Sequence, residues 1–398
     1  MIDFRLTEEQ LLLEDTVRRF AENEIRPVAA ELDRIADPRE AFPADISRKA
    51  TELGLHLLLV PEDMGGMGGG LIELSILVEE LAYGDVGVGM SYMATNSIAR
   101  LIAQCGTEAQ RERWLTPYCD ISGDTHHLYG FGGTEPSGGT EIFCPEPEPK
   151  LGVRTSARKD GDNFIVNGRK CFITNGGYAE LYGCLARTNP DGPNLQSTSI
   201  FFVRSDTPGF SIGKIEDKMG HRLMANGELI FDDVALSRDD MLGAEGAGLP
   251  LLFQVYNVNG VGTGALAVGL ARAAYDMAVN YARERLIWGR PITRYQSVSN
   301  MLVDMKMQIE TARLLVRRVA WAGDNDMHDK EVHHAMAKVY ATDMVKKVTT
   351  DALQILGGSG YMKDFPAEKY VRDCFVMPIY DGTNEALRHF MAMDMYQT

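Results

Sequence analysis

Three short stretches carry the side chains best suited to chemistry. In Ile379-Tyr380-Asp381-Gly382-Thr383-Asn384-Glu385 a carboxylate, the side chain of general acid–base work, sits on a short loop between Pro378 and a final helix. Thr383 is placed to N-cap that helix and Asp381 to lie near its positive end. In Phe131-Gly132-Gly133-Thr134-Glu135-Pro136-Ser137-Gly138-Gly139-Thr140, glycines and hydroxyls follow an expected strand. Free backbone N–H groups and two threonine hydroxyls there suit a pyrophosphate or the polar edge of a flavin. In Phe172-Ile173-Thr174-Asn175-Gly176-Gly177 an aromatic ring and a hydroxyl two positions apart on a strand face the same way and suit the rim of a flat ring system. Each stretch also has a plainer reading: a solvated or capping Asp, an ordinary Gly-rich turn, a packed aromatic.

Composition narrows the chemistry. The 398 residues are 45% hydrophobic and 24% charged, with a formal net charge of -16. That is a globular protein with room for two or three packed units, and its average field repels a phosphate backbone, which argues against nucleic acid as a partner. Charge begins at Asp3 and no run of about 18 apolar residues occurs, which predicts a cytoplasmic protein with no membrane span. The six cysteines form no CxxC pair and no metal-type spacing with histidine, so they are read as reduced, mostly buried thiols. The cluster His328, His333, His334 is read as a solvated helix face, and His126 and His127 receive the same reading.

Helices and strands must bring the three stretches together. Helical text runs from Leu6 to about Asp33, opened by Thr7 with Glu8 and Glu9 in the first turn, and continues at about 45–54, 71–83, 89–104 and 107–115. From about 125 the period changes: Asn163 to Thr174 reads as two apolar runs with Asn167-Gly168 as a hairpin turn. Further strands are expected at Ser199 to Arg204 and Glu228 to Phe231, bounded by Pro208-Gly209 and Asp232-Asp233. After Gly248 helical periodicity returns, with Leu302, Met305, Ile309, Ala312, Val316 and Val319 as one seam and Met336, Val339, Tyr340, Met344 and Val348 as a second. The fold class is α+β: an α-helical unit at 1–124, an antiparallel β unit at 125–244 and a helical bundle at 245–398. Pro145, Pro147 and Pro149 mark Glu141 to Lys150 as an extended, exposed excursion. Gly260-Val-Gly262-Thr-Gly264-Ala265 fits a loose dinucleotide-binding pattern, but no βαβ text surrounds it. It reads better as a helix whose small face of Gly260, Gly264, Ala267 and Gly269 admits a close neighbour.

With these elements in place, the chain resembles the acyl-CoA dehydrogenases. The matching text includes TEEQ at Thr7 to Gln10, VPEDMGG at Val60 to Gly66, GTEAQRERWL at Gly106 to Leu115, TEPSGGTE from Thr134, FITNGG from Phe172 and KMGHR at Lys218 to Arg222. It continues with FDDV at Phe231 to Val234, YARERLIWGRPI at Tyr281 to Ile292, QILGGSG at Gln354 to Gly360 and YDGTNEALR at Tyr380 to Arg388. The resemblance implies an N-terminal helical domain, a middle β domain, a C-terminal four-helix bundle and one FAD between the last two. It implies that Phe131, Gly133 and Thr134 line the flavin, with Phe172 and Thr174 at its other side and Thr174 near N5. Arg285, Trp288 and Gln296, together with Gln354 and Gly358, match positions that reach FAD across a subunit interface, and Thr383 and Glu385 match further FAD contacts. Thr140 and the segment Asn257, Asn259, Gly260 match positions facing the CoA thioester, as does Gly382. A homotetramer, an acyl-CoA substrate and electron transfer to an electron-transferring flavoprotein follow from the same resemblance.

Asp381 matches the position of the base that removes the α-proton, with its own backbone N–H and a flavin ribityl hydroxyl on the thioester oxygen. The usual base is Glu, and Asp is shorter by one methylene, about 1.5 Å, where 1 Å already matters for proton transfer. A compact, branched or cyclic acyl group is therefore expected. Asn259 stands where some members carry the base on a helix, and Gly260 where an Arg is usual, which would enlarge the site. The rival readings are a nitroalkane oxidase-like flavoprotein with Asp381 as base and a DNA-associated, non-dehydrogenating flavoprotein, the latter opposed by the charge of -16.

Overall fold

Thr7 opens the first helix as expected: its hydroxyl accepts from the Gln10 N–H at 3.2 Å while the Gln10 side chain accepts from the Thr7 N–H at 3.0 Å. The computed structural model describes residues 5–396 except 123–124, 145, 147, 149, 326 and 328–333. The expectations for His328 and His333, and for the three prolines of the 141–150 excursion, lie outside the described residues. The N-terminal helices are α1 (Glu8–Phe20), α2 (Arg26–Leu32), α3 (Ala44–Glu52), α4 (Leu71–Gly84), α5 (Val86–Cys105) and α6 (Glu108–Trp114). Between α1 and α2 the chain widens into one π turn, Ala21–Ile25, in which the Arg26 N–H reaches back to Ala21. Pro27 follows in the first turn of α2 and has no N–H for the tighter ladder. The Asp85 carboxylate caps α5, accepting from the N–H of Gly87 at 2.8 Å and of Val88 at 3.2 Å.

The β unit comprises β1 (Tyr129–Gly132), β2 (Ser156–Asp160), β3 (Asn163–Thr174), β4 (Leu181–Arg187), β5 (Thr198–Arg204), β6 (Phe210–Ile215), β7 (Asn226–Leu236) and β8 (Met241–Leu242). They form one sheet in the order β6-β7-β3-β2-β4-β5-β8, with β1 joined to β4. The pairs β1/β4 and β2/β4 are parallel, so the sheet is mixed rather than wholly antiparallel. The hairpin expected at Asn167-Gly168 is not there. β3 runs through that dipeptide with a register shift, and the tight turn lies one strand earlier, where Asp160 pairs with Asn163 across Gly161-Asp162. Gly161 takes φ 63°, the conformation that turn requires. Likewise β7 passes through Asp232-Asp233 instead of ending there.

The C-terminal part holds α7 (Gly248–Glu284), the short pair β9 (Leu286–Ile287) and β10 (Arg290–Pro291), then α8 (Gln296–Asp324), α9 (His334–Leu356), α10 (Gly358–Tyr361), α11 (Ala367–Cys374) and α12 (Asn384–Tyr396). All six members of the α8 seam are buried. On α9 three of the five expected seam residues, Val339, Met344 and Val348, are buried, Met336 is partly exposed and Tyr340 exposed, while Ala337, Lys338, Ala341, Thr342 and Val345 widen the buried face beyond the expected stripe. The added width follows from packing α9 against the small face of α7. There Gly260 admits the His334 carbonyl and Gly264 admits Ala337, while Gly269 lies on another side, against the carbonyl of Glu79 in α4. The 260–265 segment is helix interior throughout, with no strand before it. Of the six free cysteines only Cys184 and Cys374 are buried, the other four being partly exposed.

Two apolar clusters make the core. Met90, Ile173 and Met224 belong to the larger, and Ile98, Leu252 and Val255 to the smaller; the site lies where they meet. A Cβ on Gly269 would sit 2.2 Å from the Glu79 carbonyl oxygen. Gly269→Ala is therefore expected to force α4 and α7 apart and cost about 1–3 kcal/mol, read as a lower thermal midpoint.

Candidate active site

Asp381 stands on the turn between α11 and α12 with φ 51°, followed by Gly382 at φ 83°. Next in the chain, the Thr383 hydroxyl accepts from the Ala386 N–H at 3.1 Å and caps α12, as its position suggests. The Asp381 carboxylate is held from α7: Asn259 donates to Oδ1 at 3.0 Å and Thr263, one helical turn on, donates to Oδ2 at 2.9 Å. Ser97 of α5 donates to the Asn259 Oδ1 at 2.7 Å, which turns the amide nitrogen toward Asp381. Lys338, fully buried on α9, bonds the Gly382 carbonyl at 2.7 Å and the Asn384 Oδ1 at 2.8 Å. Its protons hold the loop and leave the carboxylate alone. Burial raises the Asp381 carboxyl above its ordinary value, and the Thr263 and Asn259 donors and the Lys338 charge reverse only part of that. Burial also pushes Lys338 down to about 8 against the pull of Asp381, Asp343 and Glu385.

Asp381 opens into a cavity of about 710 Å³. Met90, Ala94, Ser97 and Ile98 of α5 and Leu252, Val255, Tyr256 and Asn259 of α7 form one wall. Phe131, Gly133, Thr134 and Thr140 from the Gly-rich stretch, and Phe172 and Thr174 from β3, form the other. Asp381, Gly382 and Thr383 lie between them. All three chemically suggestive stretches thus face one space. Phe172 lines it with 62% of its surface exposed and φ 61°, and the hydroxyls of Thr134 and Thr174 have no hydrogen-bond partner among the described residues. A solvent-facing aromatic ring with two unpaired hydroxyls is a surface awaiting a flat, polar-edged group, which fits FAD.

The Gly-rich stretch is tied down from beneath. Buried Glu135 accepts from Lys170 at 2.8 Å and from the N–H groups of Arg154 and Thr155, each at 2.8 Å, and Lys170 also reaches the Gly133 carbonyl at 3.2 Å. Burial alone would raise Glu135; Lys170 and Thr155 more than offset it, and the carboxyl lies below its ordinary value. At the far end, Lys369 bridges Asp85 at 2.5 Å and Asp373 at 2.7 Å, and Asp373 accepts from the His221 N–H at 2.6 Å. Burial, then the Lys218 charge, lowers the His221 imidazole to about 3, so a neutral ring packs edge-on to Tyr380 with centroids 5.8 Å apart.

Several expected residues lie elsewhere. Gly260 faces α9, not the cavity: a Cβ there would meet the His334 carbonyl at 2.9 Å, so its role is helix packing and it does not widen the site. Asn257 and Glu385 are exposed and do not line the cavity. Arg285, Trp288 (89% exposed), Gln296, Gln354 and Gly358 are all on the surface beyond it. Thr263, Lys338, Ser97, Tyr256 and the Glu135–Lys170 pair were not singled out from the sequence for these contacts. The one available signal was the i, i+4 spacing of Asn259 and Thr263 on a helix.

A raised, half-buried carboxylate beside a large cavity with a rim for a flat cofactor defines a proton-abstracting redox enzyme. Models of the acyl-CoA dehydrogenase N-terminal, middle and C-terminal domains match residues 7–122, 130–234 and 246–396. The chain is 36% identical to the short-chain specific acyl-CoA dehydrogenase of Clostridium acetobutylicum, over 96% of this chain and 97% of that one. It is also 36% identical to the cyclohex-1-ene-1-carbonyl-CoA dehydrogenase of Geobacter metallireducens, over 96% of this chain and 97% of that one. The butyryl-CoA dehydrogenase structure from Megasphaera elsdenii superposes with a TM-score of 0.89 at 36% identity, covering 98% and 99% of the two chains. The chain belongs to the acyl-CoA dehydrogenase family and is an FAD-dependent acyl-CoA dehydrogenase. No helix among the described residues is long and apolar enough to cross a membrane.

Lys170→Met would strand the Glu135 charge beneath the Gly-rich stretch, a loss of about 3–5 kcal/mol. The expected result is a lower thermal midpoint and a smaller flavin-to-protein absorbance ratio after gel filtration, with Lys170→Met/Glu135→Leu recovering part of both.

Proposed function

We propose that this enzyme oxidises a compact acyl-CoA, branched or cyclic near the thioester, to its 2-enoyl-CoA, with Asp381 as the base. The observation that carries the reading is the Asp381 carboxylate itself: half-buried at the wall of a cavity, raised by desolvation, and opposed by no directly bonded cation. The α-hydrogen of a thioester is a weak acid, so its removal needs a carboxylate of raised basicity held against Cα. The Asp381 backbone N–H has no protein acceptor among the described residues, and its left-handed turn leaves it free to bond the thioester oxygen as negative charge develops there. When bound, FAD supplies the acceptor for the hydride leaving Cβ.

The apolar residues Met90, Ala94, Ile98, Leu252 and Val255 take the acyl group, and Thr140 and Gly382 serve the thioester and CoA end, with exposed Asn257 outside the cavity left to the outer part of CoA. Phe131, Gly133, Thr134, Phe172 and Thr174 hold the flavin ring, with Thr383 beside it; Glu385, exposed outside the cavity, is left to a more distant part of FAD. Exposed Arg285, Trp288, Gln296, Gln354 and Gly358 complete the cofactor site of another copy in a homotetramer. Electrons leave through an electron-transferring flavoprotein, and the enzyme works in the cytoplasm. Two relatives of equal identity bear names for a short-chain and for a ring substrate, so overall similarity leaves the acyl group open. The short base favours the bulkier group, whose Cα can be pressed toward α7.

Anaerobic mixing with straight, branched, cyclic and aromatic acyl-CoAs tests this directly. Bleaching of the flavin is expected with a branched or cyclic member, and a flavin reduced only by nitroalkanes would overturn the reading. Asp381→Asn should keep FAD yet slow bleaching by about 10²-fold or more, the scale of a lost general base. Asp381→Glu should retain partial activity and move preference toward straight chains; an unchanged substrate profile would reject the argument from reach.

A further inference from the structure

We infer that Asn259 and Thr263 are positioning residues that clamp the base, fixing both the rotation of the Asp381 carboxylate and the pH at which it becomes a base. The inference rests on the reading of Asp381 as the proton acceptor and concerns how this chain makes an aspartate serve there. A carboxylate on a one-methylene stem, at the tip of a left-handed turn, has a free torsion that could aim it in several directions. Here each oxygen is given one neutral donor from successive turns of α7, at 3.0 Å from Asn259 and 2.9 Å from Thr263. Each oxygen keeps a second lone pair, so the clamp orients the group without consuming its capacity to take a proton.

The clamp is itself fixed. Asn259 and Thr263 are buried, and the Ser97 hydroxyl on Asn259 Oδ1 at 2.7 Å prevents the amide from offering its oxygen to Asp381. That arrangement ties α5, α7 and the catalytic loop into one chain of hydrogen bonds. Donors to the charged form lower the carboxyl while burial raises it, so the two threads set a balance. The other charged or titratable groups facing Asp381 are Tyr256 from α7, Lys338 from α9 and Tyr380 from its own loop, with Glu385 and Arg388 of α12 acting on Lys338. Of these, none bonds the carboxylate, which leaves Asn259 and Thr263 as the groups whose removal acts on it directly.

The test uses substrate-free, FAD-loaded enzyme and the infrared carbonyl band of a protonated carboxyl group, assigned by its disappearance in Asp381→Asn. Thr263→Val, nearly isosteric, is expected to move the midpoint of that band up by about one pH unit through loss of one donor to the charged form. Thr263→Ser should leave it within a few tenths of a unit. Asn259→Leu provides a second, independent upward shift should the first variant fold poorly. With isobutyryl-CoA, a compact branched acyl-CoA, under anaerobic conditions, Thr263→Val should slow flavin bleaching about 10-fold or more at saturation with little change in KM, the signature of lost orientation. An unmoved midpoint in both folded variants would overturn the clamp, whereas rapid bleaching by Asp381→Asn would overturn the assignment of the base.

Discussion

A general base must be buried enough to be basic yet not neutralised by a cation, and the site is organised around that conflict. Burying a carboxylate without partners is costly, and pairing it with a lysine would quench it. This chain gives Asp381 two neutral donors and diverts the nearest buried amine, Lys338, to a carbonyl and an amide oxygen in the same loop. The positive charge remains close enough to help hold the loop, while the carboxylate retains lone pairs facing the cavity.

The same solution recurs around the cavity with full ion pairs, where no reactivity has to be preserved. Lys170 and Glu135 lock the Gly-rich stretch to β3, and Lys369 with Asp85 and Asp373 locks the start of α5 to α11. The Lys170–Glu135 and Lys369–Asp85 pairs join segments far apart in sequence, and further hydrogen bonds satisfy Glu135 and Asp85, the condition under which buried charges are tolerated. The walls of the cavity are thus set by polar struts, and its lining is left to apolar and aromatic side chains.

The legible and illegible parts of this architecture divide on physical lines. Periodicity exposed the long helices and the α8 seam, because burial on one face leaves a repeating mark in the text. The three chemical stretches were readable because their residue types are unusual together. The hairpin was misplaced because Asn167-Gly168 has the composition of a turn but sits at a register shift inside β3, while the working turn, Gly161-Asp162, lies beside a strand too polar to stand out. The face of α9 was legible only in part: Val339, Met344 and Val348 are buried as expected, but Lys338 and Thr342 are buried polar residues serving the loop at Asp381, and a hydrophobic pattern passes over them. Gly260 illustrates a subtler failure: a small residue near a site suggests space, yet here its missing side chain is filled by another helix.

The cavity lies at the seam between two apolar clusters and is large beside any ordinary packing defect. Whatever fills it becomes the contact between those clusters, so cofactor supply acts on the protein as mass action on folding: each tenfold excess over the dissociation constant adds about 1.4 kcal/mol to the native state. Loss of the cofactor therefore lowers stability as well as turnover, and raises the unfolded fraction that proteolysis acts on.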